Sequence, residues 1–173
     1  MTHPADRTAE ADRQRGTRPD RRGTVLGTGW SAAGLVGLIA LGLPRTVLAD
    51  LGIVLPESSW VYYLLALTPF AVWLVLAVGR RTATPVRDYL VAGALYGLSL
   101  VIVHELFWNV GTSLGHTLPP SVLEPAGGYA SPLRELIPHG YAFGIAMLIG
   151  LGVGLVVALV AALSALVRRA ARR

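Results

Sequence analysis

Four long apolar runs divide the chain, each closed by proline, glycine or arginine. The first extends from about Thr24 to Leu43 and stops at Pro44-Arg45, and the second from Trp60 to Val78, before Gly79-Arg80-Arg81. The third covers Tyr89 to Trp108, and the fourth covers Gly140 to Val167, before Arg168-Arg169. An α-helix needs roughly 20 residues to cross a ~30 Å hydrocarbon layer, and each run is close to or above that length. Lipid offers no hydrogen-bond partner, so backbone amides must be satisfied within the segment and the runs predict helices. The expected fold is all-α, an integral membrane four-helix bundle over residues 25–173.

Residues 1–24 break this pattern. They carry six arginines and four acids with few apolar residues and no periodicity, and are read as a disordered tail. The two longer connections on one side also differ. Residues 45–59 are short and contain "TVLADLGIVLP", which suits an amphipathic turn at the interface, whereas residues 111–138 form a proline-bearing loop too long for a simple turn. Inside it "SPLRELI" predicts a short helix, with Ser131 as cap and Pro132 in the first helical position.

Composition supports the membrane reading: 53% of residues are hydrophobic and 14% charged, against about a quarter charged in soluble domains. Every basic residue is arginine. The basic balance does not point to nucleic acid, because the arginines flank apolar runs and do not interleave with aromatics on one face. With no cysteine, disulfides, thiolate metal sites and covalently attached c-type haem are excluded.

Arginine placement orients the bundle. Thirteen fall in the tail, the second connection and the C-terminus, and two, Arg45 and Arg134, in the first and third connections. The positive-inside rule then puts both termini in the cytoplasm. An N-terminal signal peptide cleaved near "TVLAD" is the rival. The first run is longer than the usual apolar core of such signals and Arg45 sits in the would-be cleavage region, so an uncleaved span is expected.

Candidate chemistry concentrates in "VIVHELFWNV" (Val101 to Val110). The zinc-protease motif H-E-x-x-H fails, because Trp108 stands where the second histidine is needed. His104 shares a helical stripe with Gly93 and Gly97, so it should face another helix, with Glu105 about 100° around. Span four offers a matching small-residue run, Gly150, Gly154 and Ala158, which lets helix backbones approach closely. In the expected register Gly97 lies level with Ala158, and His104 against Gly150–Gly154, with Glu105 reaching Arg134.

Ionisable residues at membrane depth are costly and raise an ion-handling hypothesis for His104 and Glu105. Next to it stands the structural reading, a pair that ties the end of span three to the loop. His116, Arg134, Glu135 and His139 are the outer-loop candidates. Together with Glu124 these histidines and carboxylates are raw material for a divalent-cation or non-covalent haem site, but no ligand pair has a recognisable spacing. Neither metal nor cofactor is expected, and no phosphate loop, nucleophile elbow or catalytic carboxylate pair is present.

"AGALYGLSLVIVHELFWNVGTSLGHTLPP", from Ala92, followed by "LRELIPHGYAFGIAMLIG", ending at Gly150, resembles bacterial inner-membrane proteins of the YagU-like kind. The likeness rests on Tyr-Gly and a histidine in one span, a proline-bearing loop, and a histidine and glycine opening the next. It implies a multi-pass membrane protein and no assigned chemistry. The functional expectation is a non-enzymatic accessory or structural component of the bacterial cytoplasmic membrane. It would partner the bilayer, itself or another membrane protein, and no nucleic acid. The alternative is a small transporter or a proton- or cation-handling protein.

Overall fold

The computed structural model describes residues 25–54, 60–113 and 120–173. A short 3-10 turn (Val25–Gly27) leads into α1 (Ala32–Asp50), then α2 (Trp60–Gly79), α3 (Pro85–Ser113), the short α4 (Pro120–Gly127) and α5 (Leu133–Ala170). Four of these, α1, α2, α3 and α5, are long and apolar enough to cross a membrane. The protein is an all-α membrane bundle. The expected disordered tail, residues 1–24, lies outside the described residues.

The four long helices form a ring. α3 packs against α1 and α5, and α2 against the same two. A core of Trp30, Leu35, Leu38, Trp73, Tyr89, Tyr96, Leu100, Val157 and Ala161 fills the ring. Outside it, Val36, Leu67, Val75, Leu106, Leu148 and Leu163 are all more than half exposed. An apolar surface on every side suits lipid and not water. Two hydroxyls in the spans bond to their own helix: Thr68 Oγ1 donates to the Leu64 carbonyl at 2.7 Å, and Ser99 Oγ to the Leu95 carbonyl at 2.8 Å. Neither of these two is left unsatisfied in hydrocarbon.

Three boundaries differ from those read in the sequence. α1 starts at Ala32, after Ser31, whose Oγ accepts from the Gly34 amide at 3.2 Å, and it continues through Pro44 to Asp50. Proline removes one helical hydrogen bond, and in a membrane helix neighbouring groups absorb that loss. Residues 28–30 are non-helical, and Leu26 and Gly27 of the preceding 3-10 turn lie at positive φ. The helix predicted at "SPLRELI" is the beginning of α5, which runs through Pro138, and Ser131 Oγ meets Glu135 Oε1 at 3.4 Å. Among its described residues the loop expected over 111–138 is largely helical: α3 extends to Ser113, α4 occupies Pro120–Gly127, and α5 begins at Leu133.

Glycine sets the tightest contact, between α3 and α5. A Cβ on Gly150 would lie 2.4 Å from the Gly97 amide nitrogen and 2.5 Å from the Gly93 carbonyl. On Gly154 it would lie 2.7 Å from the Tyr89 carbonyl, and on Gly93, 2.5 Å from the Gly150 carbonyl. Backbone therefore touches backbone, as small residues permit in membrane helices. Gly97 faces Ala146 and Met147, while Ala158 is buried one turn beyond Gly154. The register is shifted from the expected one by about ten residues, or ~15 Å at ~1.5 Å per residue. Depth counted from Gly140 misses the two turns that α5 gains before it.

One end of the bundle gathers the arginines. Arg80 Nη2 donates to the Gly29 carbonyl, and its guanidinium sits 3.5 Å from the centre of the Trp30 ring. Arg87 Nη2 donates to the Leu26 carbonyl at 2.8 Å, and Arg168 Nη1 to the Val78 carbonyl at 2.6 Å. At this end Asp88 is fully buried. Its carboxylate accepts from the Gly29 amide (2.9 Å), Thr82 Oγ1 (2.5 Å) and Thr84 Oγ1 (3.0 Å). Burying a carboxylate is tolerable only with such partners, and these fasten the segment before α1 to the start of α3.

Candidate functional site

The opposite, arginine-poor end holds the sequence-predicted site. Three helices contribute: the last turn of α1 supplies Asp50, α3 supplies His104, Glu105 and Trp108, and the first turns of α5 supply His139. His104 and Trp108 are four residues apart and so share a face, while Glu105 is turned aside from it. His104 Nδ1 lies 3.5 Å from Asp50 Oδ1, and His139 Nδ1 lies 2.9 Å from Glu105 Oε1. An ionised carboxylate only accepts, so in the second pair Nδ1 of His139 carries the hydrogen. The two neighbours in sequence, His104 and Glu105, thus belong to different pairs and bind different helices.

Trp108 lies between the imidazoles. The His104 ring meets it edge-on, with centroids 5.4 Å apart and planes at 89°, and the His139 ring lies across it at 4.2 Å and 33°. The result is a chain of side chains, Asp50, His104, Trp108, His139 and Glu105, running from α1 through α3 to α5. His104 does not rest on Gly150–Gly154. The shift of register puts Tyr141, Ala142 and Ile145 near it, in the wall of a shared cavity. Nor does Glu105 take Arg134, which with Glu135 stands at the start of α5. Those two line a cavity of about 610 Å³ with Trp108, Leu123, Ala126, Pro138 and His139. His116 lies outside the described residues.

Asp50 does not stand out as a site residue in the sequence, because Pro44-Arg45 reads as the end of the first span. The available signal was phase: Gly42, Thr46 and Asp50 repeat every four residues and continue the buried face of Leu38. The Asp50 side chain is 17% exposed, and its second oxygen, Oδ2, is buried without a hydrogen-bond partner, as is Thr46 Oγ1 one turn before it. Asp88, fully buried, is a second acid that the sequence analysis does not single out. Its signal was "TATPVRD", two threonines ahead of a helix-starting proline and an acid in the first turn.

Arg45 also moves. It lies inside α1, half-buried, and its Nη1 donates to Tyr62 Oη at 2.7 Å with the guanidinium 5.2 Å from that ring's centre. Two cavities share its side chain as a wall.

No family model, curated protein or solved structure matches this chain. Its own side chains therefore bear the functional argument. Among the described residues no group of three histidines or acids converges as a metal site would. A histidine–carboxylate pair can exchange a proton or hold two helices together. Between this end and Asp88 the inward face of α3 presents Leu100, Tyr96 and Ala92, all buried and all uncharged. The bundle interior there is lined by apolar and aromatic groups and glycine backbone, with Arg45 bordering its cavities.

Proposed function

We propose that the protein is a non-enzymatic, multi-pass component of the bacterial cytoplasmic membrane that acts through helix packing, with another membrane protein or with itself. The observation that carries the reading is the division of the arginine-poor end into two internal pairs, His104 with Asp50 and His139 with Glu105, each joining different helices. Groups so used fix helix positions, and the buried, uncharged face of α3 between them and Asp88 supports a structural role over a conducting one.

Both termini are assigned to the cytoplasm. Arg80, Arg87 and Arg168 gather at one end of the bundle. Towards the opposite end, among the described residues, stand only Arg45, inside α1, and Arg134, at the start of α5, which suits the positive-inside rule. Surfaces for a partner helix also exist: Gly37, Gly140, Gly144 and Gly152 have open space where a side chain would stand. Backbones can approach closely at such positions.

A second reading, a small proton- or cation-handling protein, draws support from the unpartnered Asp50 Oδ2. Purification in a mild detergent separates the two. A stoichiometric co-purifying membrane protein, or a dimer without flux in liposomes, is expected. A homodimer with pH-dependent flux that His104→Leu abolishes would overturn the accessory reading.

A further inference from the structure

Arg45 is a cation within a span that meets no carboxylate among the described residues. It stands 13 residues into α1, ~20 Å along the span at ~1.5 Å per residue. A charge at that depth calls for a partner. Its hydrogen-bond partner is a phenol, Tyr62, and among the described residues no carboxylate forms an ion pair with it. Asp50, the acid nearest in sequence, is engaged with His104. An arginine near a membrane surface ordinarily extends its head to water. Here the guanidinium is instead bonded to Tyr62 on the neighbouring helix and forms the wall of two cavities.

Those cavities differ in character. One, of about 240 Å³, opens among all four spans and is lined by Leu38, Ala66, Phe70, Trp73, Tyr96 and Val153 among others. The other, of about 220 Å³, lies between α1, α3 and α5, and Thr46 and His104 join Arg45 in its wall. Arg45 and Ile149 are common to both. Ligand pockets span ~300–1,000 Å³, mostly apolar with a few polar groups that fix orientation, and the two cavities together fall low in that range. Thr46 supplies a second, independent observation: its hydroxyl is buried with no hydrogen-bond partner. A buried polar atom left so is costly unless something fills the site.

We propose that Arg45 and Thr46 bind the anionic head of a single-chain amphiphile, a carboxylate or phosphate, whose apolar tail occupies the cavity lined by Phe70, Trp73 and Tyr96. A planar guanidinium matches either head group with paired N–H donors, and the Thr46 hydroxyl adds a third. The anion would neutralise Arg45, and the tail would fill space among the four spans. This site adjoins the His104–Asp50 pair, whose His104 shares its wall, and does not depend on the accessory reading.

The test uses the full chain in an uncharged detergent, with native mass spectrometry against tetradecanoate, dodecyl phosphate and tetradecanol, and with acetate and inorganic phosphate as heads without tails. Saturable binding of the two anionic amphiphiles, one per chain, is expected, and weak binding of the alcohol. Arg45→Gln should weaken anion binding about ten-fold or more, the scale of a charge-assisted hydrogen bond, with Arg45→Lys keeping part of it. Ala66→Phe should block the tail. Should Arg45→Gln fail to fold, Thr46→Val and Ala66→Phe carry the test, each expected to weaken binding. Equal affinity for tetradecanol, or unchanged binding in all the folded variants, would overturn the proposal. Displacement by inorganic phosphate or acetate as effective as by the amphiphiles would overturn it too, leaving a small-anion site.

Discussion

At the scale of single residues, Asp50 changes what a substitution at His104 should do. The sequence suggests that leucine would be harmless there, since most of the surroundings are apolar. With the Asp50 carboxylate 3.5 Å away and largely buried, His104→Leu instead strands an acceptor whose other oxygen already lacks a partner. The expected loss is about 1–3 kcal/mol, the range for a buried group deprived of its hydrogen bond. Removing the acid as well, in Asp50→Leu with His104→Leu, should return most of it, and a double-mutant cycle on detergent unfolding measures this coupling. Additive losses would show that the two side chains do not hold each other.

Reading the sequence could not supply this partner, because proline is a strong stop signal in water and a weak one in a membrane helix. The stripe through Gly93, Gly97 and His104 was legible, as helical phase depends only on spacing. What those residues meet depends on how far α5 extends. That was hidden by Pro138, which looks like loop and lies inside α5.

Among the elements, the α3–α5 contact dominates, and its glycines divide sharply. Gly150 has no room for a methyl group, with backbone atoms at 2.4 and 2.5 Å from a built Cβ, whereas Gly152, two residues on, faces open space. Alanine is favoured over glycine in helix interiors by up to ~1 kcal/mol, so Gly152→Ala should be neutral or stabilising. Gly150→Ala must push two backbones apart, and overpacking of this kind costs about 1–3 kcal/mol. Thermal unfolding in detergent should separate the two variants in sign. Equal melting points would mean that α3 and α5 are not in backbone contact. The small-residue run was visible in the sequence, and so was its packing face. Its register was not, because glycines repeating every four residues fit a neighbour equally well after a slide of two or three turns.

For the whole molecule, four apolar runs and an alternating arginine count carried the architecture in plain sight. Spans need length and hydropathy, and both are local properties of the chain. The paired end groups were not local: Asp50 with His104 and Glu105 with His139 join residues 54 and 34 positions apart. The two ends of the bundle follow one logic. At the arginine-rich end Asp88 gathers Gly29, Thr82 and Thr84, and at the other Trp108 lies between two histidines, so polar groups tie the helices where water begins. The account rests on a four-span bundle with its arginine-rich end in the cytoplasm. The absence of cysteine makes a direct measurement clean, since single introduced cysteines have no background. In intact cells, a membrane-impermeant maleimide should label Tyr129→Cys, and should reach Arg81→Cys and Arg173→Cys only after permeabilisation. Labelling of Arg173→Cys from outside, with Tyr129→Cys protected, would contradict the orientation, and labelling of Arg81→Cys and Arg173→Cys on opposite sides would contradict the four spans.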